Sequence, residues 1–101
     1  MPFVRAAKAS DIPTGTIHEI QIAGKALALA NFGGKYFAIN TTCLHRGGPL
    51  GQGALQDKIV TCPWHGWEYD VTTGKLIQNP AMSVACYPTE TRGEEVFIDI
   101  V

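Results

Sequence analysis

The chain has no apolar run long enough to cross a bilayer. It has none of signal-peptide length at its start either, where Met1-Pro2-Phe3-Val4-Arg5-Ala6-Ala7-Lys8 is broken by charge. A soluble, cytoplasmic protein is the expectation. Charge of one sign is missing as well: eight basic residues face nine acidic ones with no like-charge cluster, so nothing favours nucleic acid and little favours an anionic membrane. No segment sustains a helical period. Cysteine and histidine are scarce, at three each. With 101 residues there is room for one domain, 1–101, with a modest core and no second catalytic domain.

What is present is punctuation of the β type. Short apolar runs at Phe3-Ala7, Thr16-Ile22, Lys25-Ala30, Tyr36-Ile39, Lys58-Thr61, Trp67-Tyr69, Met82-Tyr87 and Glu95-Ile100 alternate with turn signals. The turns are Ala23-Gly24, Gly33-Gly34, Thr73-Gly74 and Arg92-Gly93, and Asp11-Ile12-Pro13 with Gly15 interrupts the first run. An all-β fold of small antiparallel sheets is expected.

Four of the six cysteines and histidines fall in two short Gly/Pro-rich segments, Cys43-Leu44-His45-Arg46-Gly47-Gly48-Pro49-Leu50 and Cys62-Pro63-Trp64-His65-Gly66-Trp67. Each offers one thiolate and one imidazole, a donor set for an iron–sulfur cluster or zinc, and not for calcium or magnesium, which take oxygen. A zinc finger normally groups its cysteines and its histidines separately, whereas here the two types alternate. A zinc-stabilised binding module without redox function is the alternative of another class. His18, in the strand-like run Thr16-Ile22, reads as a surface or sheet-face residue, and Cys86, in Ser83-Val84-Ala85-Cys86-Tyr87, as a structural one.

The pattern C-x-H, then C-x-x-H after residues 46–61, resembles that of the Rieske family. Gly47, Gly48, Pro49 and Leu50 after the first pair, Gly66 after the second, and Tyr69-Asp70 match the family's flanks. The resemblance implies stacked antiparallel sheets with a loop-rich cluster-binding subdomain, about residues 41–81, at one end. It also implies one [2Fe–2S] cluster per chain, with Cys43 and Cys62 on one iron and His45 and His65 on the other. Replacing two thiolates by neutral imidazoles raises the potential of such a cluster to about −150 to +300 mV, against about −400 mV for all-cysteine plant-type clusters.

Residues around the ligands acquire roles by the same resemblance. Asn79-Pro80-Ala81 falls where the family has a proline loop over the cluster, and Pro80 would keep that cover rigid, or else form a plain strand-entry turn. Trp67 reads as core and Trp64 as surface near the cluster. Arg46 reads as an exposed charge that guides a partner, Asp70 as a brace for the turn into Gly74, and Glu68 as merely solvated. High-potential members brace their loops with a disulfide at the positions of Gly48 and Trp64, and donate a serine hydroxyl from the position of Trp67. Both devices are missing here, while Tyr69 keeps a tyrosine. A potential of roughly −150 to 0 mV is expected.

Terminal ring-hydroxylating oxygenases share His45-Arg46-Gly47 and His65-Gly66-Trp67, yet need a further iron on two histidines and a carboxylate. Only His18 remains for that task. The resemblance therefore implies not an enzyme but a one-electron carrier, a Rieske-type ferredoxin. Its partners would be a flavoprotein ferredoxin reductase and a terminal oxygenase of the aromatic-ring dioxygenase type, with transient docking at the cluster end. The small Rieske-like subunit of an assimilatory nitrite reductase is the runner-up.

Overall fold

The computed structural model describes residues 3–42, 49–64 and 66–99. Its strands are β1 (Phe3–Lys8), β2 (Thr16–Ile22), β3 (Lys25–Phe32), β4 (Lys35–Asn40), β5 (Ala54–Gln56), β6 (Ile59–Thr61), β7 (Glu68–Asp70), β8 (Cys86–Tyr87), β9 (Thr89–Arg92) and β10 (Glu95–Asp99). They form three antiparallel sheets in the orders β1-β10-β9, β2-β3-β4-β8 and β5-β6-β7. The all-β expectation of small antiparallel sheets holds. Among the described residues no helix is long and apolar enough to cross a membrane.

Turn chemistry sets the central register. Ala23 and Gly24 both adopt positive φ, 49° and 80°, the combination a two-residue hairpin needs to match strand twist, and so pair Ile22 with Lys25. Ala23 is a costly residue there, since L side chains crowd the left-handed region.

The middle sheet is covered on both faces, which explains the unbroken buried run Leu27 to Asn31 in β3. Successive side chains point to opposite faces. Leu27, Leu29 and Ala38 therefore pack with Ile12, Ile22, Val96 and Ile98 of the terminal sheet side, while Ala28, Ala30 and Ile39 pack with Leu50, Val60, Cys62, Tyr69 and Leu76. Alanine on the second face leaves room for the larger Leu50 and Tyr69, both fully buried. Burial of each such large side chain is worth about 1.5–3 kcal/mol.

Sheet β5-β6-β7 ends in the cross-strand row Ala54, Thr61, Glu68. From that row leave the 62–67 connection and, through Gly53, the 3-10 turn Leu50–Gln52 that follows Pro49. A third segment joins the same row, where the Ile77 amide donates to the Glu68 carbonyl at 2.8 Å. The topology thus brings the described parts of three segments, 49–53, the ends of 62–67, and 76–82, to one end of this sheet.

Three details differ from the sequence reading. Strands β5 and β9 carry no apolar alternation, Ala-Leu-Gln and Thr-Glu-Thr-Arg, and so gave no signal. The expected strand Met82-Tyr87 is regular only at Cys86–Tyr87. Its first part folds instead against residues 74–76, through Leu76 N to Met82 O (3.0 Å), Val84 N to Gly74 O (2.9 Å) and a Lys75–Ser83 bridge. Cys86 lies at the surface rather than in a core.

Candidate metal centre

Cys62 follows β6 as a free thiol 2 % exposed, packed in the cluster that contains Leu50 and Tyr69. Its backbone closes the loop it opens: the Cys62 amide donates to the Trp67 carbonyl (2.7 Å) and its carbonyl accepts from the Gly66 amide (3.1 Å). Gly66 sits at φ +76°, a conformation that glycine adopts without steric penalty. Trp67 turns inward and packs on the core, half-buried, whereas Trp64 is 57 % exposed.

The first segment is pinned at both ends. Thr42 and Pro49 pair across its base, the Leu50 amide donates to the Thr41 carbonyl (2.6 Å), and the Gly51 amide donates to the Thr41 hydroxyl (3.0 Å). That hydroxyl in turn donates to Glu19 Oε1 at 3.2 Å. Gly51 lies against Glu19 so closely that a Cβ would stand 2.6 Å from its Cα, so only glycine fits. Gly53 is tight against the Thr61 carbonyl for the same reason. The calls on Cys43, His45, Arg46, Gly47, Gly48 and His65 lie outside the described residues.

Tyr69 is fully buried in β7, directly across from Val60. Pro80 is exposed in a turn closed by Met82 N to Asn79 O (2.9 Å) and Ala81 N to Asn79 Oδ1 (3.3 Å). Glu68 is not merely solvated. Its amide donates to Gln78 Oε1 (3.1 Å), and Gln78 Nε2 donates to Glu68 Oε1 (3.2 Å).

At the far end of β7, Asp70 braces the next turn by accepting from the Thr72 amide (2.8 Å) and hydroxyl (2.5 Å), with Lys58 at 3.5 Å. Burial alone would raise the Asp70 pKa, but the Thr72 hydroxyl and amide and Lys58 outweigh it and hold the carboxyl below its ordinary value. The Cys86 thiol is pushed up by burial, against the Tyr87 amide, with the Asp70 carboxylate adding to the rise. A thiol so raised stays protonated at neutral pH and is a poor nucleophile or ligand. Cys62 and Cys86 differ accordingly: one is buried at the loop end, the other exposed with its sulfur 3.9 Å from the Thr72 carbonyl.

Residues 3–88 match the family model of the Rieske [2Fe-2S] domain. The chain belongs to the Rieske family. It is 33% identical over 102 residues to the 3-phenylpropionate/cinnamic acid dioxygenase ferredoxin subunit of Shigella boydii serotype 4, across 99% of this chain and 95% of that one. It is 29% identical over 99 residues to the naphthalene 1,2-dioxygenase system ferredoxin component of Pseudomonas aeruginosa, across 97% and 95%. Among solved structures it resembles a chain from a complex of reduced oxygenase and oxidized ferredoxin in carbazole 1,9a-dioxygenase, with a TM-score of 0.86, 28% identity, and 95% and 91% coverage.

A Rieske domain carries one [2Fe–2S] cluster, and the relatives matched end to end are electron-transfer components, not oxygenases. The described residues fit such a group. A free buried thiol stands where the sheet opens into its loop, and the pinned base of the other ligand segment lies in the same packed cluster through Leu50. The family match, and not this geometry, favours the cluster over zinc. Sequence reasoning passed over Thr41, Glu19, Gly51 and Gln78, which hold the segments in place. The close glycine pair in Leu50-Gly51-Gln52-Gly53 was the one available signal.

Proposed function

We propose that this chain is the ferredoxin of a ring-hydroxylating dioxygenase system, taking single electrons from a flavoprotein reductase and passing them to a terminal oxygenase in the cytoplasm. The observation that carries this reading is the end-to-end match, 99% of this chain on 95% of the relative, with a ferredoxin subunit. In this reading residues 1–101 act as one Rieske domain with residues 41–81 as its cluster-binding part. Cys43 and Cys62 hold one iron, and His45 and His65 the other. When bound, such a cluster supplies reversible one-electron transfer at a potential above that of all-cysteine clusters.

The chain's own residues supply the setting. Cys62 is buried, and the 62–67 loop is held by its own backbone bonds. Among the described residues, the large apolar side chains left exposed, Trp64, Ile77 (44 %) and Met82 (39 %), belong to the two segments that meet at Glu68. Such apolar side chains suit a carrier that must release its partner, for which contacts below about 1,200 Å² are typical, and in this reading Arg46, outside the described residues, supplies the guiding charge. The solved relative named as an oxygenase–ferredoxin complex supports an oxygenase as that partner. The test is reconstitution with a flavoprotein ferredoxin reductase and a terminal ring-hydroxylating oxygenase. Product formation that depends on adding this chain is expected; full turnover without it would contradict the reading.

A further inference from the structure

Glu68 occupies a singular place in the framework. It ends the β5-β6-β7 sheet beside the 62–67 loop, paired in register with Thr61 and next to Trp67, whose carbonyl closes that loop. Its other edge is spent entirely on the 76–82 segment. The Glu68 carbonyl accepts from the Ile77 amide (2.8 Å), its amide donates to Gln78 Oε1 (3.1 Å), and its carboxylate accepts from Gln78 Nε2 (3.2 Å). The segment itself is closed by Leu76 N to Met82 O (3.0 Å) and carries the Pro80 turn. One residue thus joins the loop that bears Cys62 to the turn that bears Pro80.

We infer that Glu68 and Gln78 form a clasp that fixes the Pro80 turn against the end of the 62–67 loop and so limits the access of water to the cluster. They are positioning residues, and the inference rests on the Rieske reading. A cluster with two thiolates and two neutral imidazoles is about neutral when oxidised and gains one negative charge on reduction. Water favours the charged form, so opening the turn raises the midpoint potential. The backbone bond from Ile77 survives in side-chain variants, which keeps the fold intact.

Two substitutions in the holoprotein separate the clasp from the charge. Gln78→Ala removes both side-chain bonds and keeps the carboxylate. Glu68→Gln removes the charge and keeps an oxygen to accept from Gln78. The readouts are hydrogen exchange at the Glu68 amide and the midpoint potential. Gln78→Ala should speed exchange about fivefold, the loss of one ordinary hydrogen bond, and shift the potential upward. Glu68→Gln should leave that exchange rate at the wild-type value. Lowered melting temperature in Gln78→Ala with unchanged potential would overturn the inference, as would equal exchange acceleration in both variants. A wild-type protein lacking the Rieske visible spectrum would overturn the functional reading itself and the inference with it, whereas a normal wild-type spectrum with an unmoved Gln78→Ala potential overturns the inference alone.

Discussion

Replacing Gly51 by alanine places a methyl group 2.6 Å from both Cα and Cβ of Glu19 and 2.8 Å from its amide nitrogen. Ordinary carbon contacts lie at about 3.5–4.0 Å, so the Leu50–Gln52 turn must retreat from β2 by about 1 Å. Glu19 cannot yield, because β2 is bonded to β3 along its whole length. Overpacking of this kind costs about 1–3 kcal/mol. The retreat also stretches the bonds from Leu50 and Gly51 to Thr41, each worth about 1 kcal/mol. A loss of about 2–4 kcal/mol is expected in denaturant unfolding, together with a lower iron content per chain, since the same bonds anchor the segment that leads to Cys43. Gly33→Ala is the control: φ is +64° and nothing lies within 4 Å, so it should lose only the left-handed penalty of about 1–2 kcal/mol and keep its iron. A Gly51→Ala protein as stable as the Gly33→Ala control and fully loaded with iron would refute the reasoning.

Cys62→Ser should abolish the visible iron–sulfur spectrum and destabilise the fold, because binding and folding free energies are linked, while Cys86→Ser should keep the spectrum; the reverse outcome in absorption spectra would overturn the ligand assignment. Asp70→Ala removes two bonds to a charged acceptor and should cost about 1.5–3 kcal/mol at neutral pH. Because the Asp70 pKa is lowered on folding, its contribution is present above the unfolded value of about 3.9 and fades as pH falls through the lower folded value. The gap between wild type and Asp70→Ala in urea melts should therefore be full at pH 7 and shrink below about pH 4. Arg46→Glu should slow electron delivery to an acidic oxygenase surface in stopped-flow mixing and weaken its salt dependence, with Lys35→Glu on the distant β3–β4 hairpin as control; equal slowing in both would remove the case for docking at the cluster end.

The architecture was legible wherever side-chain periodicity follows burial. The alternating Leu and Ala of β3 announce a sheet packed on both faces, which needs apolar residues at every position, whereas the edge strand Thr16–Ile22 shows only through Ile17, Ile20 and Ile22. β9 was invisible since it is an edge strand of Thr-Glu-Thr-Arg, stabilised by pairing with β10 and by Arg92 stacked 4.7 Å over Phe97. The family was legible from spacing, because few chemistries use C-x-H and C-x-x-H together. What holds the described segments in place was not. Gly51 against Glu19 and Gln78 on Glu68 are contacts between residues 32 and 10 positions apart, and no local pattern announces a meeting set by tertiary packing. Asp70 was an intermediate case, since its partner Thr72 is only two residues away and the motif is a local turn.

The central claim is a one-electron Rieske centre held by two cysteines and two histidines. A redox titration of the purified protein, followed by electron paramagnetic resonance with ¹⁵N-histidine labelling, tests it most directly. One electron per chain, nitrogen coupling from two histidines in the reduced state, and a midpoint of roughly −150 to 0 mV are predicted. A midpoint near −400 mV without histidine coupling, or a colourless protein with stoichiometric zinc, would contradict it.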